Sequence, residues 1–175
     1  MERIAQFFKV SYEQFKKDWA DTFDEPNDAD LREEKVIRET YDSLKLPVRG
    51  TVGSAGYDFF SPLDFVLGPG EEIKFPTGIK VSMNEGYVLL IFPRSSIGFK
   101  YFTLLNNTIG VVDESYFNNE TNEGHMFVKL HNCGDKMLSV KKGDRICQGI
   151  FMQYGITVDD DVTAERNGGF GSTGR

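Results

Sequence analysis

Several short segments of this sequence hold side chains suited to phosphate and nucleobase chemistry. Pro93-Arg94-Ser95-Ser96 sets a guanidinium and two hydroxyls directly after the apolar run YVLLIF. An arginine at a strand end can fork onto a phosphate through two parallel N–H bonds, and the serines add donors. Gly110-Val111-Val112-Asp113 ends an apolar strand in a carboxylate, with Tyr116 shortly after it and Asn107 shortly before. Such an aspartate can polarise a water as general base. Asn107 carries both an acceptor and donors, so it can read a base edge. Gly56-Tyr57-Asp58 puts another carboxylate on a strand, and Gly143-Asp144-Arg145-Ile146-Cys147-Gln148 reads as a turn feeding a strand that carries Gln148. Near the C-terminus, Gly169-Phe170-Gly171-Ser172-Thr173-Gly174 formally matches GxGxxG. The dinucleotide-binding use of that pattern needs a strand before it and a helix after it, and here only Arg175 follows. Its physical content survives: glycines let backbone N–H groups approach phosphate oxygens. Ser172 and Thr173 add hydroxyls, Phe170 can stack on a base, and Arg166 adds a cation. Taken singly, each motif also fits plain architecture: a surface turn with a structural arginine, a turn-forming aspartate, a frayed terminus.

The elements that must position these groups are mostly strands. From residue 50 onward, GYDFFS, EEIKF, GIKVS, YVLLIF, FTLL, IGVV, HMFVKL, MLSV and RICQGIFMQY are short strand-like runs punctuated by Gly, Pro, Asn and Asp. That texture predicts an all-β sandwich or barrel, jelly roll included. YVLLIF lacks alternation and is expected to be buried on both faces. Residues 4–10 alternate weakly and can form a first strand. Residues 11–46 differ. Ser11 with Gln14 is a capping-box signature, and Tyr12, Phe15, Trp19 and Phe23 share one helical face. DEPND (24–28) breaks that helix. Asp30 with Glu33 offers a second cap, and Val36, Ile37, Tyr41 and Leu44 make another apolar stripe. Two short amphipathic helices ending before Pro47 are expected. The segment 166–175, RNGGFGSTGR, cannot build a core and needs something to hold it down.

The chain has 175 residues, 39% hydrophobic and 27% charged, which suits a single globular domain over 1–175. Its net charge of −7 and the lack of a basic run argue against a nucleic-acid partner. No run of 18 apolar residues argues for a membrane span, and the start MERIAQFFKV lacks the apolar stretch of a secretory signal, so the expected location is the cytoplasm. Cys133 and Cys147 have no metal-binding spacing and are expected to be buried reduced thiols. His125 and His131 have no matching ligands near them in sequence and read as structural or surface residues.

In order along the chain, SAGYDFFS, PRSSIG, NNTIGVVDESY, KKGDRICQ and RNGGFGSTG resemble the five motifs of the trimeric dUTPase (dUTP diphosphatase) family, over roughly residues 50–174. The resemblance implies a jelly-roll-like β-barrel, here with a short helical insertion at 11–46, assembled as a homotrimer with shared active sites. It implies cleavage of dUTP to dUMP and pyrophosphate, with Mg²⁺ on the triphosphate and no metal bound directly by the protein. Such an enzyme cleans the nucleotide pool and supplies dUMP, in the cytoplasm, or the host cytoplasm if the gene is viral. Carried onto this chain, Asp113 matches the residue that activates water for attack at the α-phosphorus. Tyr116 matches the residue packed against the deoxyribose, where a 2′-OH would clash. Asn107 and the backbone of Gly110, Val111 and Val112 match the uracil-reading hairpin. Arg94, Ser95, Ser96 and Gln148 match phosphate-side residues, with Asp58 in support. Arg166, Phe170, Gly171, Ser172 and Thr173 match a closing lid, with Phe170 over the base.

The sequence departs from the family pattern in four places. Ser96 stands where a glycine is common, and Tyr116 is followed by FNNETNEGH in place of the common RGE, which lengthens the turn. The tail has one residue fewer between its arginine and GGFG, and residues 11–46 exceed a minimal member. Two other readings stay open. A dCTP deaminase shares the fold but lacks the GGFGSTG tail and uses a glutamate. A non-catalytic nucleotide sensor or protein-binding module could use residues 11–46 for a protein partner.

Overall fold

The computed structural model describes residues 2–164. Strand β1 (Ala5–Lys9) is followed by helices α1 (Tyr12–Thr22) and α2 (Glu34–Ser43), with a 3₁₀ turn, Pro26–Arg32, between them. Strands β2 (Val48–Arg49), β3 (Tyr57–Phe60), β4 (Phe65–Leu67), β5 (Glu72–Pro76), β6 (Ile79–Met83) and β7 (Tyr87–Pro93) come next. A short helix α3 (Ser95–Tyr101) precedes β8 (Thr103–Leu105) and β9 (Gly110–Asp113). The 3₁₀ turn Glu114–Tyr116 then leads to β10 (Phe127–Asn132), β11 (Leu138–Val140) and β12 (Arg145–Gln153). The strands form four small sheets, ordered β1-β6, β5-β10-β8, β11-β4 and β2-β3-β12-β7-β9, and every pairing is antiparallel. This is the jelly-roll-like all-β fold with a helical segment near its N-terminus.

The helical segment is built into the same core as the strands. Ser11 caps α1: its hydroxyl accepts from the Gln14 N–H at 3.1 Å. The reciprocal half of a capping box is not made, because Gln14 turns to Asp18 and the Ser11 N–H donates instead to Glu123, far along the chain. Phe15 and Trp19 on the apolar stripe of α1 are fully buried. Phe15, Trp19 and Ile37 join one cluster with Phe59, Phe75, Leu89, Leu130 and Ile146 from the strands. Helix α1 packs against β5, the outer strand of its sheet.

Four expectations are corrected. Asp30 does not cap the second helix; it lies in the 3₁₀ turn, and the cap residue Glu33 makes no side-chain bond. On β7 only alternate residues, Leu89 and Ile91, are buried, because the strand's other face lies outside the core. Cys133 is exposed, beyond the end of β10, while Cys147 is buried and burial pushes its thiol pKa up. The segment after Arg94, read from sequence as a turn, is the short helix α3, and the three-residue strand β4 is too short to stand out in the hydropathy pattern.

Among the described residues, no helix is long and apolar enough to cross a membrane.

Candidate active site

A cleft of about 780 Å³ opens beside the β8–β9 hairpin. Asn107, Gly110, Val111, Val112 and Tyr116 all line it, over an apolar floor that includes Ile91, Leu105 and Met126. The hairpin is tight for a local reason. The Thr108 N–H donates to Leu105 O at 2.8 Å and the Ile109 N–H to Asn107 O at 2.7 Å, which forces Thr108 to a φ of 61°. A β-branched residue avoids that region, so the tip stores backbone strain of the kind found at ligand clamps. Gly110 approaches the neighbouring strand closely: a Cβ there would sit 3.1 Å from Ile91 Cβ. Hydrogen-bonding backbone edges at the tip, over an apolar floor, suit a flat, polar-edged ring.

Tyr116 forms the far wall and is held on several sides. Its hydroxyl donates to His125 O at 2.9 Å and accepts from Asn122 Nδ2 at 2.8 Å. Its own carbonyl accepts from Asn119 Nδ2 at 2.9 Å. The long turn after Tyr116 therefore folds back under the ring. Gly124 has a φ of +80°, and a Cβ on it would strike Tyr116 O at 2.5 Å.

Asp113 follows Val112 at the end of β9, half-buried, and introduces the 3₁₀ turn that carries Tyr116.

A second group of polar residues lies elsewhere on the same sheet. Asp58 on β3 is buried, with Arg94 Nε 3.0 Å from Oδ1 and Arg145 Nη1 3.2 Å from Oδ2. A bulge in β12 between Arg145 and Cys147 turns Arg145 toward Asp58. Gln148 pairs with Asp58 in the β12–β3 register, and its Oε1 occupies the space a Cβ on Gly56 would need. Ser95 and Ser96 are exposed in the first turn of α3, immediately after Arg94. Two guanidiniums fixed by one carboxylate, beside an amide and two hydroxyls, are groups with the chemistry to bind an oligophosphate. Sequence reasoning passed over Arg145, because an arginine beside a turn looks like solvation until the bulge aims it.

The described residues include no cluster of three or more His, Cys, Asp or Glu able to hold a metal ion. Both Asp58 oxygens are engaged by arginines, so this donor set does not fit a protein-bound cation. His125 is buried and structural, bonded to Asp18 and to the Gly78 N–H. Arg166, Phe170, Gly171, Ser172 and Thr173 lie outside the described residues.

Within one chain Asp113 is set well apart from Arg94. In register, Asp113 pairs with Val88 and Gly110 with Ile91, while Arg94 follows Pro93 at the other end of β7. The six-residue offset from Val88 to Arg94 corresponds to roughly 20 Å of strand. Arg94 also faces Asp58 on β3, on the opposite side of β7 from β9.

The dUTPase family model matches residues 42–174. A deoxyuridine 5′-triphosphate nucleotidohydrolase of Lactococcus lactis is 41% identical over 143 residues, covering 81% of this chain and 95% of that protein. The corresponding protein of Dictyoglomus turgidum is 37% identical over 150 residues, covering 80% and 98%. The crystal structure of a dUTPase from Streptococcus mutans superposes with a TM-score of 0.58 at 38% identity, covering 64% of this chain and 88% of that one.

Proposed function

This chain belongs to the dUTPase family and is a dUTP nucleotidohydrolase, and from that premise we propose how its residues divide the work. The observation that carries the proposal is the convergence of Asn107, Gly110, Val111, Val112 and Tyr116 on one cleft. The hairpin reads the uracil edge through Asn107 and backbone groups of Gly110 to Val112. The Tyr116 ring packs against the deoxyribose and leaves no room for a 2′-OH. Cytosine presents the wrong donor pattern, and a mismatched edge leaves buried polar groups unpaired, which discriminates strongly.

Asp113 acts as general base. Its carboxylate takes a proton from a water whose oxygen attacks the α-phosphorus. The bond from that phosphorus to the bridging oxygen breaks, pyrophosphate leaves, and dUMP remains. Arg94, Ser95, Ser96 and Gln148 bind the phosphates, Asp58 holds Arg94 in place, and we add Arg145 to that set. Mg²⁺ carried on the dUTP would supply neutralisation of phosphate charge, with no ligand from the described residues. Arg166, Phe170, Gly171, Ser172 and Thr173 close the site as a lid.

The separation of Asp113 from Arg94 along β7 supports a site shared between chains, as in a homotrimer. The test is pyrophosphate release in Mg²⁺ buffer from dUTP, UTP, dCTP and dTTP side by side. Strong preference for dUTP is expected, and comparable kcat/KM for dUTP and dCTP would revive the deaminase-like reading of the cleft.

A further inference from the structure

We propose that the inserted helix α1 belongs to the nucleotide site: Asp18, acting through His125, is a positioning residue for Tyr116. The proposal rests on the reading of Tyr116 as the wall against the deoxyribose.

The connection is continuous and buried. His125 is fully enclosed, with the rings of Phe15 of α1 and of Phe127 packed near it. The Gly78 N–H donates to its Nε2 at 2.7 Å, so Nε2 carries no proton. The ring hydrogen is therefore on Nδ1 and is donated to Asp18 Oδ2 at 2.5 Å. That bond fixes ring and backbone at His125, and the backbone carbonyl of His125 receives the Tyr116 hydroxyl at 2.9 Å. Asn122 Nδ2 bonds both that hydroxyl and that carbonyl. Asp18, Asn122 and Tyr116 all line the nucleotide cleft.

A second tether holds the same turn. Glu123 accepts from the Ser11 N–H at 2.9 Å and from its hydroxyl at 2.5 Å, and it pairs with Lys80 at 3.0 Å. The two departures from the family pattern, the helical insertion and the long turn after Tyr116, thus meet at His125 and Glu123. Each completes the hydrogen bonding of the other, and the tyrosine stands on the joint.

A residue that merely stabilised the fold would lower the melting temperature and leave sugar selectivity alone. A positioning residue alters selectivity at temperatures where the protein is fully folded. The experiment is kcat/KM for dUTP and UTP in the whole protein, for wild type, Asp18→Ala, Asp18→Asn, Tyr116→Phe, Tyr116→Ala and the double variant Asp18→Ala/Tyr116→Phe. Asp18→Ala is expected to narrow the dUTP:UTP ratio by about tenfold, the size of a lost charge-assisted hydrogen bond, chiefly through KM for dUTP. Asp18→Asn should restore much of the ratio, since its amide oxygen still accepts from Nδ1–H. Tyr116→Phe should narrow it similarly, and the double variant should be no worse than the larger single effect, because both changes cut one chain. An unchanged ratio in Asp18→Ala, with Tyr116→Ala strongly affected, overturns the positioning role and leaves the reading of Tyr116 standing. An unchanged ratio in Tyr116→Ala removes that reading and this proposal together. If Asp18→Ala does not fold, Tyr116→Phe decides: wild-type selectivity there contradicts the proposal.

Discussion

Asp113 is the residue on which the proposed chemistry turns. Asparagine keeps its size and much of its hydrogen-bonding shape but cannot take a proton from water. Asp113→Asn is therefore expected to reduce the single-turnover rate by about 10² to 10⁴, the usual worth of a positioned base. Calorimetry with a non-hydrolysable dUTP analogue should find binding retained. Near wild-type turnover would remove Asp113 from the reaction. The pair of arginines on Asp58 makes a second residue-scale prediction. Arg94→Ala and Arg145→Ala should each raise KM for dUTP, whereas Asp58→Asn should weaken both arginines' placement without removing a cation. Measured KM values in which Arg145→Ala matches wild type would restrict the phosphate side to Arg94. Asp113, Tyr116 and Arg94 stand out in the sequence as candidates because their motifs are contiguous. Arg145 could not, because its aim depends on a β-bulge, and neither could the strain at Thr108, which follows from two turn hydrogen bonds closing on one residue.

At the scale of elements, the inserted helices were visible in the spacing of Tyr12, Phe15, Trp19 and Phe23, but their destination was not. Periodicity reports that a face is apolar, not what covers it. The face proves to be core. Trp19 is fully buried, with its indole N–H donating to Leu31 O at 2.9 Å. Trp19→Ala is expected to cost about 3–5 kcal/mol of stability, measured by denaturant unfolding, as for other buried aromatic truncations. A cost near zero would mean the helices are an ornament on the barrel. The tie between helix and turn also has a pH signature. Burial alone would raise the Glu123 pKa, but the Ser11 hydroxyl and N–H, with Lys80, outweigh it and hold it below its ordinary value of 4.5. A carboxylate with a lowered folded pKa contributes stability that is fully present above the ordinary value and is lost as pH falls through the lowered one. Glu123→Gln should therefore melt below wild type near neutrality, and the gap should shrink as the medium is acidified past the ordinary carboxylate range. A gap independent of pH would assign the loss to shape instead of charge.

For the molecule as a whole, the texture of short strands and turns announced an all-β fold, and the five ordered motifs announced the family. What no local pattern conveyed is that the motifs fall into two groups on one sheet, with Asp113 and Arg94 toward opposite ends of β7. Strand order sets that separation, and strand order is a product of long-range pairing. If water activation and phosphate binding must meet at one phosphorus, two chains are needed, and a closed rotational assembly satisfies every site equally. The direct test mixes two crippled variants. Asp113→Asn lacks the base and Arg94→Ala lacks one phosphate-side cation, and each alone should release little pyrophosphate at dUTP concentrations well below the raised KM of Arg94→Ala. Refolded together in equal amounts, they form sites that draw Asp113 from one chain and Arg94 from another, and random assembly makes about a quarter of sites intact. Recovery of dUTP cleavage toward a quarter of the wild-type rate is expected, and activity no greater than the sum of the two variants alone would contradict a site shared between chains.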